Sequence, residues 1–467
     1  MVLGGLEGWL EGLGQAGVET TDRLTADPVP PLVVAPVELA GDAIASGAGS
    51  IILEGRGGAS ALRQAGFETQ RLVPTPSIAA PRHLVRVDHT RASVYAIEHS
   101  SAPESVKKRL RNTVAKAFLA RGRFPEVVPI VTVGTRSVAP PFLVAEAARF
   151  GAPGDPEWFM TLGGGDALSR SVFHLFAPGE NEPGWVVKFA RVPGYTAPFE
   201  RDERGLRLAG TAGEAVAQRV PGILGRFEAA GLHASLEISA RGYRLTDLLR
   251  RGVPRDEKVR VVDSVAAWIL ELGQRTAGDA GALAEERDRL AREVVPRWAG
   301  AAPTLVESIP DIPSVVEHGD IGAWNVIARD TKEFSVIDWE SVREHGFPLW
   351  DLTFFLADAL LQLDGGDTEA AQNQHTAQLF RGEIPSSEIL FRWIRAGVEA
   401  FGIPPDAVGS IVTLCWLRHG IADNLRGETR GTLGVGGRWG EVGAERIAGV
   451  WMNEPGLGPT WKSWCKN

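Results

Sequence analysis

The spacing of apolar residues divides the chain into a strand-rich first half and a helical second half. Up to about Ala240, short apolar runs alternate with Gly and Pro breaks, a pattern typical of strands joined by turns. Beyond Gly242 the apolar positions recur every three to four residues, which predicts helices. One strand–turn–strand segment interrupts the helices, over Val326–Ala328 and Ser335–Ile337. The pattern therefore predicts a mixed α+β fold.

The predicted elements fall into three stretches, 1–156, 157–240 and 241–467. The first is predicted to be a small α/β domain that ends in a Pro- and Gly-rich linker, Gly151–Pro156. The second is strand-rich and the third is helical. The predicted strands are Ser50–Leu53, Glu68–Val73, Val127–Val133, Ser171–Phe176, Trp185–Phe189 and Leu236–Ser239. The predicted helices are Gly58–Ala65, Val106–Arg121, Phe199–Ala209, Thr246–Arg250, Lys258–Gln274, Ala282–Val295, Trp350–Gln362, Ser387–Ala400 and Ile411–Leu425.

Composition and charge are those of an ordinary globular protein. The chain has 467 residues, of which 44% are hydrophobic and 23% are charged, and its formal net charge is −9. Such a length accommodates two or three domains. The negative charge argues against nucleic acid or an anionic membrane surface as a partner, because both attract basic proteins. No apolar run reaches the roughly 18–20 residues that span a bilayer, so we expect no membrane span.

The cysteines and the N-terminus indicate a reducing, cytoplasmic setting. Cys415 and Cys465 have no metal-ligand spacing and suggest no disulfide framework. Residues 1–20 lack the basic n-region of a secretory signal. We therefore expect a cytoplasmic protein, and the sequence leaves its oligomeric state open.

The residues that carry the most chemistry lie between His318 and Asp338. Asp320 is on a predicted loop after an apolar run, Asn325 follows five residues later, and Asp338 ends a short strand. Phosphoryl transfer needs a carboxylate beside the acceptor hydroxyl and a divalent metal on the phosphates. Asp320 can be that carboxylate, and the oxygens of Asn325 and Asp338 are ligands that suit Mg²⁺. One aspartate alone would be a turn cap. Four polar residues at this spacing favour a functional interpretation, namely His318, Asp320, Asn325 and Asp338.

The pattern H-G-D-x-x-x-x-N, followed about a dozen residues later by I-D-W-E, resembles the aminoglycoside phosphotransferase and choline kinase family. That family is related to the protein kinases. The resemblance therefore implies a bilobal protein-kinase-like fold, with a small β-rich N-lobe and a helical C-lobe that bears the acceptor site. It further implies that Asp320 is the catalytic base or orients the acceptor hydroxyl, and that His318 braces the loop. Asn325 and Asp338 would be the metal ligands.

A lysine inside an apolar strand is a candidate for binding the nucleotide phosphates. Only eight of the 49 Lys and Arg residues are lysines, and Lys188 lies within Trp185–Phe189. Its ammonium can neutralise nucleotide phosphates if a glutamate of the next helix holds it in place. The family pattern favours Glu203 as that glutamate, and Glu200 stays open. The alternative is a lysine that only snorkels from a strand end.

Two further segments are assigned to the nucleotide. Gly164 and Gly165 precede the strand Ser171–Phe176 and resemble the phosphate-covering loop of kinases, in which glycines let backbone N–H groups approach phosphate oxygens. A plain turn is the alternative, because no G-x-G-x-x-G is present. Glu237 and Ser239 lie where the family has its inter-lobe hinge, so the resemblance implies that their backbone meets adenine. The implied cofactors are ATP and Mg²⁺.

The helical half contains a second family element and a polar helix. Pro348–Leu352 matches the P-x-x-D-L element, in which we predict that Asp351 caps a helix or anchors a loop rather than contacts substrate. One predicted helix carries Trp416, Arg418, His419 and Asp423. We expect each of them to pack in the core or lie on the surface rather than face the acceptor.

Residues 50–80 resemble the end of some methyltransferase domains, where an L-x-x-A-G-F helix end leads into a strand. The matching residues are Leu62–Phe67. A methyltransferase also needs a glycine-rich loop after its first strand and an acidic residue after its second, and the preceding ~50 residues show no such pair. We therefore expect a truncated, divergent or unrelated domain without an active cofactor site.

These features together predict an ATP-dependent kinase that phosphorylates a hydroxyl of a small molecule, such as a sugar, an aminoglycoside-like compound or an amino alcohol. The alternative is a non-catalytic nucleotide-binding scaffold that acts through its N-terminal domain. A protein kinase is disfavoured, because I-D-W-E replaces D-F-G and no A-P-E segment follows Asp338. Glu340, Glu344, Asp351 and Asp358 could make the acceptor cleft acidic, although solvated positions explain them equally well.

Overall fold

A computed structural model describes residues 32–75, 82–99, 113–114, 130–136, 142–162, 169–191, 194–229, 231–298, 304–365, 368–433 and 451. Over these residues the chain divides into two compact units. Unit 1 holds the described residues up to Thr196, with Ile223–Ser239 and 430–433. Unit 2 holds Ala197–Gly222, Ala240–Thr429 and Trp451.

Unit 1 is built around a sheet of ten strands. They are β1 (Leu32–Pro36), β2 (Ser50–Glu54), β3 (Glu68–Thr75), β4 (His83–Arg86), β5 (Val131–Thr135), β6 (Glu157–Thr161), β7 (Ser171–Phe176), β8 (Trp185–Phe189), β9 (Ile223–Ala229) and β10 (Leu232–Ile238). Their order is β1-β2-β5-β3-β4-β6-β7-β8-β10-β9. The first pair is parallel, and each later pair in this order is antiparallel.

Short helices cover this sheet. They are α1 (Ala40–Ala45), α2 (Gly58–Gln64), α3 (Thr90–His99) and α4 (Phe142–Ala147). Helices α1 and α2 enclose one apolar cluster with β1 and β2, which includes Val33, Ile51 and Leu62. A Cβ on Gly134 would lie 2.9 Å from the Leu62 side chain, so glycine in β5 lets α2 approach closely.

The two faces of the sheet differ from β6 to β10. One face carries the apolar cluster of Trp158, Leu175, Val187 and Leu236, against which α4 packs. Because side chains alternate along a strand, Lys188 lies on the opposite face from its neighbour Val187. The lysine is nevertheless buried, with 7% of its surface exposed.

The same sheet runs through the domain boundary predicted between residues 156 and 157. Strand β4 pairs with β6 in antiparallel register, with His83 opposite Thr161 and Val85 opposite Phe159. The boundary therefore crosses a continuous sheet, and the division into separate domains stays a prediction. Residues 197–222, predicted within the strand-rich stretch 157–240, belong to unit 2.

Unit 2 is mainly helical. Its helices are α5 (Ala197–Thr211), α6 (Glu214–Ala217), α7 (Leu245–Arg250), α8 (Arg255–Arg275), α9 (Ala284–Arg289), α10 (Thr304–Glu307), α11 (Trp350–Asp364), α12 (Glu369–Arg381), α13 (Ser386–Phe401) and α14 (Pro405–Leu433). Its strands are β11 (Tyr243–Arg244), β12 (Val315–Glu317), β13 (Val326–Ala328), β14 (Phe334–Val336) and β15 (Arg343–Gly346). They form the sheets β11-β13-β14 and β12-β15.

Helix α11 is at the centre of the core of unit 2. It packs against α7, α8, α12 and α13, and apolar residues cover nearly its whole circumference. Such a helix is stable only when it is buried on all sides. Asp351 is buried and Asp358 half-buried on this apolar helix, and carboxylates that are removed from water require hydrogen-bond partners. Their partners define much of the site described below.

The described elements confirm the α+β fold class and most of the predicted elements. The strands predicted at Ser171–Phe176 and Trp185–Phe189 have those bounds. Several elements were not predicted, among them β1, β4, β6, β9, α1, α3, α4 and α12. Strand β9 alternates half-buried with exposed positions, and α12 is polar over most of its length, so the apolar periodicity is weak in both.

The single helix predicted over Ala282–Val295 is wrong. The chain there forms a 3₁₀ turn, the short α9, a π-helical turn over Leu290–Val294 and another 3₁₀ turn. Pro296 has no N–H to donate, which weakens the regular helical ladder at this end. The helix predicted at Val106–Arg121 lies outside the described residues, except for 113–114.

No single helix in the described ranges is both long and apolar enough to cross a bilayer. The bent pair Ser386–Phe401 and Pro405–Ile421 meets the criterion only when its two helices are counted together.

Candidate active site

The residues from His318 to Asn325 form a loop that leads from β12 to β13. The loop ends in a 3₁₀ turn, Ala323–Asn325. Gly319 has a φ of +81°, and a Cβ on it would lie 2.4 Å from the Ser341 carbonyl oxygen. Both the backbone conformation and the close approach therefore require glycine at this point.

His318 connects the two ends of the candidate site. Its ring is fully buried, and Nε2 lies 3.0 Å from the Ile337 carbonyl oxygen. The backbone N–H of Asp320 donates to Nδ1, at 3.3 Å. A neutral imidazole satisfies both bonds, with the proton on Nε2 and the lone pair on Nδ1. This is the geometry expected of a loop brace, which stays the predicted role of His318.

Asp351 holds the start of the loop from helix α11. Its carboxylate accepts hydrogen bonds from the backbone N–H groups of His318, at 2.6 Å, and Gly319, at 2.9 Å. Asp351 thus anchors a loop, one of the two structural roles predicted for it. Burial and the nearby Glu317 carboxylate raise the pKa of Asp351 to about 7, against the opposing effect of the two N–H donors.

Asp320 and Asn325 face each other across the loop. The Asn325 side-chain Nδ2 donates to the Asp320 backbone oxygen at 2.8 Å and to the Asp320 Oδ2 at 3.1 Å. This arrangement turns the amide oxygen of Asn325 away from Asp320. The amide group therefore fixes the carboxylate while presenting its own oxygen elsewhere.

Asp338 follows Ile337, whose backbone hydrogen bond ties the chain after β14 to the loop. The Ile337 N–H donates to the Asn325 carbonyl oxygen at 2.9 Å. Asp338 itself has a φ of +71°, in the left-handed region that residues other than glycine rarely adopt. A strained backbone is retained where surrounding contacts fix it, and such residues are frequent at functional sites.

Asp202 is one source of those contacts, and the sequence analysis missed it. Its buried carboxylate accepts a hydrogen bond of 2.7 Å from the backbone N–H of Trp339. Gly205, one turn further along α5, lets Trp339 pack closely, since a Cβ there would lie 2.7 Å from the Trp339 side chain. The available signal was periodicity, because Asp202 shares the apolar face of α5 with Phe199 and Leu206.

The donor set fits a hard divalent cation. Among the described residues, no group of three or more His, Cys, Asp or Glu side chains could hold a metal on its own. Mg²⁺ usually takes one or two protein carboxylates and completes its shell with phosphate oxygens and water. The amide oxygen of Asn325 and the carboxylate of Asp338 match that sparse requirement.

Lys188 in unit 1 has a buried partner that the sequence did not predict for it. Its ammonium lies 2.9 Å from Oε2 of Glu237, which is 1% exposed. Lys188 in β8 is opposite Ser235 in β10, and Glu237 is the diagonal neighbour on the same face. The Ser235 hydroxyl donates to the Glu237 Oε1 at 3.3 Å, so the strand pairing itself positions this ion pair.

The glutamates predicted as partners of Lys188 lie in α5, in the other unit. Glu203 forms an ion pair there with Arg207. The pairing of Lys188 with Glu203 or Glu200 stays a prediction. Contact of the Glu237 and Ser239 backbone with adenine likewise stays a prediction, and the Ser239 N–H donates to the Gly184 carbonyl oxygen at 3.0 Å. Gly164 and Gly165 lie outside the described residues.

The acidic residues considered for the acceptor cleft have structural partners. Glu344 forms an ion pair with Arg204. Asp351 and Asp358 bind backbone N–H groups of the loop 318–325. Arg201 donates to the Glu340 backbone oxygen at 2.7 Å. A role for the carboxylates of these four residues in the acceptor cleft stays a prediction.

The described side chains around Trp416 on α14 pack in the core, one of the two structural positions predicted for them. Trp416, Arg418 and His419 are all buried. The His419 ring stacks on Phe354 with centroids 4.0 Å apart. Arg418 forms an ion pair with Glu317, which directly precedes His318.

Replacement of Arg418 by methionine is expected to destabilise unit 2 strongly. The Glu317 carboxylate is 1% exposed, so the variant Arg418→Met leaves a buried charge without its ion-pair partner. We expect a loss of about 3–5 kcal/mol in the free energy of unfolding, measured by urea denaturation. The double variant Glu317→Leu/Arg418→Met should recover most of that loss, because it removes both charges.

A matched control is Arg381→Met, at an ion pair with Glu383 whose two side chains are 39% and 49% exposed. Exposed pairs of this kind contribute about 0–1 kcal/mol. If Arg418→Met proved no more destabilising than Arg381→Met, the buried pair would not stabilise the strand that leads into the loop.

The comparison with known protein families gives a match over the part of the chain that contains most of the candidate site residues. Residues 186–383 match the model of the phosphotransferase enzyme family. This stretch is similar to the phosphotransferase enzyme family. The match begins at β8, which carries Lys188, and includes the loop 318–325 and Asp338. It confirms the family resemblance seen in the sequence.

Some solved structures are distantly similar to this chain. A protein from Ralstonia eutropha JMP134 described as an aminoglycoside phosphotransferase is 16% identical, with a TM-score of 0.40, over 69% of this chain and 97% of that chain. An aminoglycoside-3'-phosphotransferase of type VIII is 18% identical, with a TM-score of 0.32, over 54% of this chain and 96% of that chain. WbdD, solved with the kinase inhibitor LY294002, is 10% identical, with a TM-score of 0.30, over 80% and 68% respectively. No curated protein matches the chain significantly. The family assignment rests on the family model alone.

Proposed function

We propose that this protein transfers the γ-phosphoryl group of Mg·ATP to a hydroxyl of a small molecule. The observation that carries the proposal is the hydrogen-bonded unit of Asp320, Asn325 and the backbone next to Asp338. It lies within the stretch that matches the phosphotransferase enzyme family. Phosphoryl transfer depends on positioning and charge stabilisation, and a loop fixed at several points suits that task.

Asp320 is assigned to the acceptor side of the reaction. Its backbone N–H is bonded to His318 and its Oδ2 to Asn325, so both the main chain and the carboxylate are held. A carboxylate held in this way can orient an acceptor hydroxyl and take its proton as the oxygen–phosphorus bond forms. Positioned bases of this type contribute on the order of 10²–10⁴-fold to rate.

Asn325 and Asp338 are assigned to the metal. Bound Mg²⁺ would neutralise charge on the transferred phosphoryl group. The protein supplies one neutral and one anionic oxygen, and His318 joins the two segments that carry them through its bond to Ile337. Asp202 secures the turn after Asp338 from the other side.

Lys188 is assigned to the nucleotide phosphates. Its ion pair with Glu237 fixes the ammonium within the sheet of unit 1 and keeps a charged lysine stable in a buried position. An ammonium held on a sheet face can bind phosphate oxygens as a point charge. The Lys188→Met variant should therefore weaken nucleotide binding.

A non-catalytic nucleotide-binding scaffold is the second candidate function. It predicts binding of Mg·ATP, seen as a thermal shift, with no transfer to any acceptor. The retention of Lys188, Asp320, Asn325 and Asp338 together favours the enzyme, because catalysis requires all four.

The deciding experiment is a screen for acceptor turnover. Purified protein with Mg·ATP is incubated with a panel of sugars, amino sugars, nucleosides and amino alcohols, and phosphorylated products are detected by mass spectrometry. We expect at least one class to be phosphorylated. Nucleotide binding without any phosphorylated product would favour the scaffold.

A further inference from the structure

Helix α11 touches the loop 318–325 at two points. Asp351 binds its first two backbone N–H groups. Asp358 lies seven residues further along α11, which is about two helical turns and therefore the same face. Its Oδ2 accepts a hydrogen bond of 2.7 Å from the backbone N–H of Ala323, near the end of the loop.

Asp358 is itself oriented by a chain of side chains. Gln362, one turn later on α11, donates from Nε2 to the Asp358 Oδ1 at 3.1 Å. Arg250, the last residue of α7, donates from Nε to the Gln362 Oε1 at 2.9 Å. One carboxylate oxygen of Asp358 thus binds the loop and the other is held by Gln362. This division of roles fixes the direction of the carboxylate.

The Ala323 N–H, which donates to Asp358, lies where the loss of its acceptor would disturb the turn. Ala323 is fully buried and begins the 3₁₀ turn Ala323–Asn325, and the first N–H groups of a helical turn have no partner within the turn. A buried N–H without an acceptor is costly, so the turn would shift to find one. The same turn carries Asn325, whose side chain holds Asp320. A shift at Ala323 therefore moves both residues.

We propose that Asp358 is a positioning residue for phosphoryl transfer, which sets the place of the turn that carries Asn325. The inference rests on the proposed function and goes beyond it, because Asp358 lies outside the motif and acts through the Ala323 N–H. Asp351 and Asp358 together hold the loop at its start and its end. Gln362 and Arg250 extend this support to α7.

Three substitutions test the inference. Asp358→Leu keeps the size of the side chain and removes both oxygens. Asp358→Asn keeps an oxygen that can accept from Ala323, and it is the conservative rescue. Gln362→Leu removes only the group that orients Asp358. Glu399→Leu, an exposed acid on α13, is the matched control for loss of charge.

The first readout is amide hydrogen exchange of peptides that cover residues 320–325, measured on the full chain without ligand. Asp358→Leu should speed exchange of the Ala323 N–H by about tenfold or more, because the protecting acceptor is gone. Asp358→Asn and Glu399→Leu should match wild type, and Gln362→Leu should lie between. Exchange in Asp358→Leu that equals wild type at residues 320–325 would overturn the inference.

The second readout separates positioning from general structure. With the best acceptor of the panel, Asp358→Leu should lower kcat by about 10–100-fold. The Mg²⁺ concentration for half-maximal activity should rise by about tenfold, since Asn325 is displaced. A fall in kcat for Asp358→Asn as large as for Asp358→Leu would overturn the inference.

The two readouts distinguish this inference from the proposed function. If wild type phosphorylates no acceptor but Asp358→Leu still exposes the Ala323 N–H, the proposed function fails and the support of the loop stands. If wild type is active and Asp358→Leu changes neither exchange nor kcat, the inference fails alone. If Asp358→Leu does not fold, the Gln362→Leu variant provides the test. Wild-type hydrogen exchange and wild-type kcat in Gln362→Leu would then overturn the inference.

Discussion

The Asp320→Asn variant should lose acceptor phosphorylation by about 10²–10⁴-fold in kcat. The substitution replaces the carboxylate with a group of the same shape that cannot take a proton. The loop should stay in place, because an amide oxygen can still accept the hydrogen bond from Asn325. Nucleotide binding, measured as the thermal shift produced by Mg·ATP, should remain close to wild type.

The control for Asp320→Asn is Asp311→Asn, at an exposed aspartate earlier in the same unit. It removes the same charge and should leave kcat unchanged. Asp320→Asn with wild-type kcat would refute the assignment of Asp320 as the base. A large fall in melting temperature would instead point to a structural role.

Asp338→Ala should abolish turnover while the protein stays folded. The metal contributes several kcal/mol of charge stabilisation, so loss of its anionic ligand should cost at least ~10³-fold in rate. Because Asp338 has a positive φ, Asp338→Asn is the better companion, since asparagine tolerates that conformation. Asp338→Asn keeps a neutral oxygen and should retain weak activity that needs more Mg²⁺.

The Mg²⁺ dependence is the measurement that makes the Asp338 prediction specific. Activity of Asp338→Asn should rise with Mg²⁺ over a range in which wild type is already saturated. The matched control is Glu340→Gln, at a half-buried acid two residues further on. Its activity should depend on Mg²⁺ concentration as that of wild type does. An unchanged Mg²⁺ requirement in Asp338→Asn would remove Asp338 from the metal site.

The sequence predicts the local arrangement of the loop 318–325 because that arrangement depends on short-range spacing. Asp320 and Asn325 are five residues apart, and the hydrogen bonds between them lie within one loop. Asp351 was predicted as an anchor because it begins an apolar helix, and the structure gives it two backbone N–H groups to hold. Which N–H groups it would bind could not be predicted, since they lie 32 and 33 residues away in sequence.

Contacts between distant segments could not be predicted from the sequence for the same reason. The partner of Lys188 depends on the register of β8 against β10, which places Glu237 diagonally across from it. Asp202 binds a backbone N–H that is 137 residues away, and no motif marks it. The joining of the N-terminal strands to β6 likewise depends on a strand pairing that periodicity does not encode.

The most direct test of the central claim is transfer of the labelled γ-phosphoryl group of ATP to a panel of hydroxyl-bearing small molecules. Wild type and Asp320→Asn are compared side by side in the presence of Mg²⁺. We expect a labelled product with at least one compound class for wild type and a loss of about 10²–10⁴-fold in its rate for Asp320→Asn. Equal transfer by the two proteins, or binding of Mg·ATP by wild type with no labelled product from any class, would contradict the central claim.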